Sequence, residues 1–273
     1  MLNFETVVGG DERDWIIFIH GAGGSLKSWK YQQEALATQY NLLLLDLRDH
    51  GASKNIQPAY DQYRFAMITE DILQVVDHLG IRKAHFITLS FGSVLMQDLA
   101  MNRPQLLRKV VMAGGIFKGN IWIRSFVHLA RFFNIFLSYP KMYSLFSYLL
   151  MPRKRNQKAR RLYQLFAQRL TQQEYLKWVG LYDEFFRLLG TFYRYTVPGK
   201  VLIVMGKDDY VFLKGARDYV RRHPQVVLKE LDETGHICNM ERPDMFNQLV
   251  KGFLQVSTSP TEIPVTKEWS AAN

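Results

Sequence analysis

The sequence predicts an α/β protein, a mostly parallel, doubly wound sheet interrupted once by an inserted helical segment. Three observations carry this. Short runs rich in leucine and β-branched residues, bounded by Gly, Asp or Asn, read as strands buried on both faces, as in a parallel sheet. Helix-period segments alternate with them, the signature of strand-helix-strand units. One block, residues 117–195, differs in composition from its surroundings, with fourteen Lys or Arg against three acids and twenty of the 37 aromatic residues. The rest is close to neutral, although the whole chain carries +10. At 273 residues and 48% hydrophobic, the chain can bury roughly three quarters of its unfolded surface. The expected organisation is a core built from residues 1–116 and 196–256, a helical cap or lid at 117–195, and a C-terminal tail at 257–273.

Taken in order, the strand-like runs are Trp15 to Gly21, Asn41 to Leu47, Lys83 to Ser90, Leu107 to Gly115, Lys200 to Gly206 and Val226 to Glu233. Between them, apolar residues recur at helical spacing over Ser28 to Gln39, Met67 to Leu79, Phe91 to Met101, Lys214 to Arg222 and Arg242 to Gln255. The basic block has helical character, with breaks at Ser138 to Pro140, Met151 to Asn156 and Gly180, so four or so helices are expected there. Its apolar rows, Phe126, Leu129, Phe133 and Phe136, then Leu145, Tyr148 and Leu149, are expected to face the sheet, some of them lining an apolar pocket. The tail is rich in Ser, Thr and Pro without periodicity and reads as extended or disordered.

Several classes are disfavoured. A single cysteine, Cys238, excludes an intrachain disulfide and reads as a small buried filler. The opening residues have neither a basic nor an apolar leader region, so a cytoplasmic protein is expected. No uncharged apolar run approaches the ~20 residues of a spanning helix. No metal or organic cofactor is expected.

The chemistry starts at Ser90. It lies where a strand runs into a helix, with Thr88 two residues before and Gly92 two after, close to the G-x-S-x-G turn that raises a serine above a sheet. A serine there is also a favoured helix cap, so the turn alone leaves both readings open. An activated serine needs a base, a group to orient that base, and donors for a developing oxyanion. Asp209 follows the Lys200 to Gly206 strand and is preferred to its neighbour Asp208 by spacing. His236 lies on a glycine-containing loop after the last strand. The glycine-rich turn around His20, Gly21, Gly23 and Gly24 lets backbone N–H groups face negative charge, and the amides of Ala22 and Phe91 are the candidate donors. The turn also has something of a dinucleotide-binding loop, but the third glycine of G-x-G-x-x-G would fall at Leu26.

The successive motifs HGAGG, DLRDHGAS, TLSFGS, GKDD and GHICNMERP resemble those of the α/β-hydrolase superfamily with a helical cap, from Trp15 to Gln255. The resemblance implies Ser90 as nucleophile, His236 as base, Asp209 as acid, and the Ala22 and Phe91 amides as oxyanion hole. Three positions depart from the pattern: Leu89 stands where His or Tyr is common, Thr88 replaces glycine, and Asp49 sits where DLRGHG has glycine. The expected activity is that of a carboxylesterase-like serine hydrolase acting on a small-molecule ester with an apolar acyl group. A thioesterase, a carbon–carbon bond hydrolase, an acyltransferase and a non-catalytic receptor would share the fold. The run Arg153, Lys154, Arg155, Lys158, Arg160 and Arg161 contains no acid. It reads as a solubilising surface, as an attraction to an anionic membrane, or as a contact for an anionic substrate tail such as a phosphate or coenzyme A. No nucleic-acid partner is expected, because no recognition fold accompanies the charge. The oligomeric state is left open.

Overall fold

A computed structural model describes residues 1–119, 124–125, 138–167 and 170–255. Seven strands among them form one sheet: β1 (Phe4–Val7), β2 (Trp15–Ile19), β3 (Asn41–Leu45), β4 (Ala84–Leu89), β5 (Leu107–Ala113), β6 (Lys200–Gly206) and β7 (Val227–Leu231). Their order is β1-β3-β2-β4-β5-β6-β7, and every neighbouring pair is parallel except β1 with β3. Strands β3 and β4 are buried along their whole length, because helices cover both faces of the sheet. The chain order reverses on either side of β2 and β4, so loops leaving the carboxyl ends of the central strands diverge and open a crevice. Strand β1 is the one strand the sequence reading lacks. Four residues at an edge, with only its ends half-buried, give too little periodicity to detect.

Helices α1 (Lys30–Leu36), α2 (Phe65–His78) and α3 (Gly92–Asn102) follow β2, β3 and β4. Between β5 and β6 lie α4 (Tyr139–Leu150), α5 (Gln157–Ala167), α6 (Gln172–Gly180) and α7 (Tyr182–Phe192). Helices α8 (Leu213–Arg222), α9 (Cys238–Glu241) and α10 (Pro243–Gln255) complete the chain. Helix α3 is buried from Gly92 to Ala100, with the sheet on one side and α2 and α7 on others, so it lacks the polar stripe of a surface helix. At the start of α6, Thr171 accepts from the Glu174 N–H while the Glu174 carboxylate accepts from the Thr171 N–H, a reciprocal cap. Glu174 also pairs with Lys54 at 2.7 Å, and the Phe65 N–H donates to Glu184, so α6 and α7 are tied to the loop and helix that follow β3.

One apolar expectation needs correction. Leu145, Tyr148 and Leu149 do not face the sheet; they are 51%, 54% and 45% exposed. The buried side of α4 is instead Tyr139, Met142, Tyr143, Ser147 and Leu150, two of whose five members carry phenol hydroxyls. The rows at Phe126, Leu129, Phe133 and Phe136 and the tail at 257–273 lie outside the described residues. Cys238 is fully buried, its thiol donating to the Val204 carbonyl, and burial raises that thiol far above its ordinary range. No helix among the described residues is long and apolar enough to cross a membrane.

Candidate active site

Ser90 occupies the turn between β4 and α3 with φ +52, the left-handed region that a side chain normally avoids. Its neighbours make room for it. A Cβ at Gly92 would lie 2.5 Å from the Ile19 carbonyl oxygen and 2.9 Å from that of His20, so only glycine lets α3 start this close to β2. The Ser90 N–H donates to the Ala113 carbonyl, and the Ser93 hydroxyl donates to the Ser90 carbonyl while accepting from the Ile116 N–H. These bonds fix the backbone and leave the Ser90 hydroxyl to reach outward. Thr88, where glycine is usual, is fully buried with its side chain toward β5, near the Val111 carbonyl. Leu89 lines the recess in front of Ser90.

His236 reaches Ser90 from the loop after β7. Its Nε2 lies 2.8 Å from Ser90 Oγ, and its Nδ1 lies 2.7 Å from Asp209 Oδ2. An ionised carboxylate only accepts, which puts the ring proton on Nδ1 and leaves Nε2 free to accept from the serine. Asp209 is fully buried, and its other oxygen accepts from the Phe212 N–H, which fixes the carboxylate plane. Asp208 is committed elsewhere: its two oxygens bind Arg153 and Arg155 at 2.6 and 2.8 Å. Spacing had preferred Asp209, and the geometry places Asp209, not Asp208, on the histidine.

The glycine turn after β2 is held from four directions. The Gly21 carbonyl accepts from Gly24 N–H and from His20 Nδ1. The Leu47 N–H donates to His20 Nε2, and the Gly23 N–H donates to His50 Nε2. The Tyr143 hydroxyl, from α4, donates to the Ala22 carbonyl. Both histidines are thereby neutral with the proton on Nδ1, and burial pushes their pKa values down to about 3 for His20 and about 4 for His50. Among the described residues, the N–H groups of Ala22 and Phe91 donate to nothing, so both remain available beside Ser90. The Phe91 side chain stacks on Phe185 at 6.0 Å and meets Trp178 edge-on at 5.7 Å, so the amide after Ser90 stands on an aromatic platform.

A recess of about 20 Å³ opens on Ser90 and His236. It shares Ala22, Gly23 and Tyr163 with a second recess of about 70 Å³ walled by Phe91, Met142, Tyr143, Tyr175 and Trp178. No Lys, Arg, Asp or Glu lines either one. None of the six bases between Arg153 and Arg161 reaches them. Arg153 and Arg155 bind Asp208, and the Arg160 guanidinium lies 4.1 Å over the Tyr148 ring and donates to the Met151 carbonyl. Lys154, Lys158 and Arg161 are exposed. His50, Tyr143, Tyr163 and Trp178 are site residues that the sequence reading missed. The one visible signal was at His50, which stands beside Gly51 in DLRDHG.

A family model described as the alpha/beta hydrolase fold matches residues 14–143. The fold is that of the α/β hydrolases. The chain is 25% identical over 271 residues to the dihydrolipoyllysine-residue acetyltransferase component of an acetoin cleaving system from Pseudomonas putida, covering 91% of the chain and 65% of that protein. It is 31% identical over 112 residues to 3-oxoadipate enol-lactonase 2 of Acinetobacter baylyi, covering 41% and 40% respectively. The matched stretch is therefore under two thirds of each of these relatives. Among solved structures, Est816, described as an N-acyl homoserine lactone degrading enzyme, superposes with a TM-score of 0.77 at 17% identity, over 92% of this chain and 96% of that one. The enol-lactonase of Burkholderia xenovorans LB400 superposes with a TM-score of 0.75 at 21% identity, over 93% and 96%. At those identities the likeness is one of fold.

Proposed function

We propose that the chain is a serine hydrolase that cleaves a carboxylic ester with a small, uncharged acyl group through an acyl-enzyme on Ser90. The observation that carries this is the unbroken hydrogen-bonded chain from Ser90 Oγ through His236 to buried Asp209. As Ser90 Oγ attacks the ester carbonyl carbon, its proton passes to His236 Nε2, and Asp209 stabilises the imidazolium without taking the proton. The carbonyl oxygen becomes an oxyanion facing the Ala22 and Phe91 amides, each worth about 3 to 4 kcal/mol in the transition state. Collapse breaks the bond to the leaving alkoxide, which takes the proton from His236. Water, deprotonated by the same nitrogen, then attacks the acyl-enzyme, releasing the acid and restoring the serine hydroxyl.

The walls of the two recesses support an uncharged, apolar substrate, since a free carboxylate or ammonium group there would meet no counter-charge. A recess of about 70 Å³ is below the ~150 Å³ that accommodates a benzene ring, which supports a short acyl chain. A cyclic ester is within this reading, and the fold likeness to lactone-cleaving enzymes is in keeping with it.

The test is hydrolysis of p-nitrophenyl esters from acetate to palmitate by wild type and Ser90→Ala. Turnover is expected to be greatest on the short chains and to fall on the order of 10⁴-fold or more in the variant. A fluorophosphonate should label the wild type alone. Equal turnover by wild type and Ser90→Ala, or inertness of both on every ester, would overturn the proposal.

A further inference from the structure

The outward face of the α4–α5 pair takes no part in the proposed reaction. On α4, Leu145, Tyr148 and Leu149, all about half exposed, share one stripe with exposed Lys141. On α5, Lys158, Arg161 and Leu165 form a second exposed stripe, with Leu165 57% exposed. Both stripes point away from the sheet. The opposite sides of the two helices, Tyr139, Met142, Tyr143 and Leu150 on one and Ala159 on the other, are buried. Laterally the helices are joined by Gln164, which donates to the hydroxyls of Ser144 and Ser147, and by Arg160 lying over Tyr148. Lys154, on the turn between them, is also exposed. Among the described residues, none of Lys141, Lys154, Lys158 and Arg161 pairs with an acid. The sequence from Leu99 to Gln173 contains no Asp or Glu at all.

We propose that this face docks on an anionic phospholipid surface. The four apolar side chains would enter the boundary between headgroups and acyl chains, and the four bases would meet the lipid phosphates. The charge pattern favours a lipid surface over the other occupants. A second copy related by a twofold axis would set bases against bases. The centre of a protein–protein interface is depleted in lysine, whereas here each stripe begins at a lysine and runs on into exposed leucine. The structure divides the basic run that the sequence shows as a unit: Arg153, Arg155 and Arg160 hold the fold, and the remaining three join apolar residues that the sequence reading had placed inside. The buried sides of the same two helices carry Tyr143 and Tyr163 beside the Ser90 recess, so the docking face lies over the site. The proposal rests on the surface and holds whatever substrate the site takes.

Co-sedimentation of the full chain at low salt, with vesicles of phosphatidylcholine and of phosphatidylcholine mixed with phosphatidylglycerol, tests it. Wild type is expected to bind the mixed vesicles only and to be released by added salt. The variant Lys154→Gln/Lys158→Gln/Arg161→Gln should bind on the order of a hundredfold more weakly. Leu145→Ser/Leu149→Ser/Leu165→Ser should also bind more weakly. All of these positions are exposed, and unchanged melting temperatures would show that the variants fold. Lys27→Gln/Lys83→Gln/Lys214→Gln removes the same charge from exposed sites elsewhere and should bind like wild type. Equal loss in that control would reduce the effect to net charge and overturn the proposal. So would wild type showing no preference for the anionic vesicles, or the leucine variant splitting a dimer while vesicle binding stays unchanged.

Discussion

At the scale of single residues, Tyr143 is the side chain whose position says most about the site. Its hydroxyl donates to the carbonyl of Ala22, one peptide along from the amide proposed as an oxyanion donor, and its ring lies over Gly23. A neutral hydrogen bond of this kind is worth about 1 kcal/mol. Tyr143→Phe should therefore lower kcat about fivefold to tenfold with KM nearly unchanged. It should weaken a trifluoromethyl ketone that mimics the oxyanion by the same factor. Unchanged kcat and inhibitor affinity would show that the contact is packing alone. Nothing in the sequence marks Tyr143, because the contact joins residues 121 positions apart. The triad candidates were legible because each follows a strand end and lies within three residues of a glycine. Asp49 is an intermediate case. The family's glycine is explained by its φ of +66, which an aspartate tolerates. What the aspartate adds became visible only in three dimensions, where its carboxylate accepts from Tyr63 Oη at 2.7 Å and Trp178 Nε1 at 3.2 Å.

At the scale of elements, the packing of α3 on β2 sets the Ser90 turn. Gly92→Ala would force a methyl group against two backbone carbonyls that cannot move without disturbing the strand. The expected loss is about 2 to 4 kcal/mol of stability, read as a lower denaturant midpoint in urea; an unchanged midpoint would mean that the turn relaxes more readily than its geometry implies. Strands β2 to β6 were readable as apolar runs, since strands buried on both faces need no alternation to stand out, and the half-exposed edge strand β7 was readable from the shorter run at its start. The helices between β5 and β6 were harder. The breaks at Met151 to Asn156 and at Gly180 were visible, the one before α6 was not, and the direction of α4 did not follow from its apolar spacing. Tyrosines with hydrogen-bonding hydroxyls occupy its inner side, and leucines are left in water. Hydrophobic periodicity locates the interior when the interior is apolar; here it is partly phenolic.

For the molecule as a whole, the buried histidines govern the response to acid. His20 and His50 have pKa values of about 3 and about 4 when folded, lowered chiefly by burial, against about 6.5 when unfolded. Between those values the unfolded chain holds protons that the folded chain does not. Stability therefore falls as pH drops from about 6.5 toward 4, by about 1.4 kcal/mol per unit for each histidine. Asp49 acts in the opposite sense, because burial raises its pKa in the folded state and the native protein takes up its proton first. The urea midpoint is expected to decline between pH 7 and 4.5. A midpoint flat across that range would place both histidines in contact with water.

The contact between α4 and the glycine turn also bears on how such a protein diversifies. Ser90, Asp209 and His236 stand on loops of the sheet, while most of the wall of the adjoining recess comes from one continuous stretch of chain between β5 and β6. That arrangement invites exchange of the stretch as a cassette, altering the recess and leaving these three residues in place. The Tyr143 hydroxyl limits the freedom of the exchange. A graft in its place inherits a structural duty along with its new pocket: some group on it must still donate to the carbonyl of Ala22.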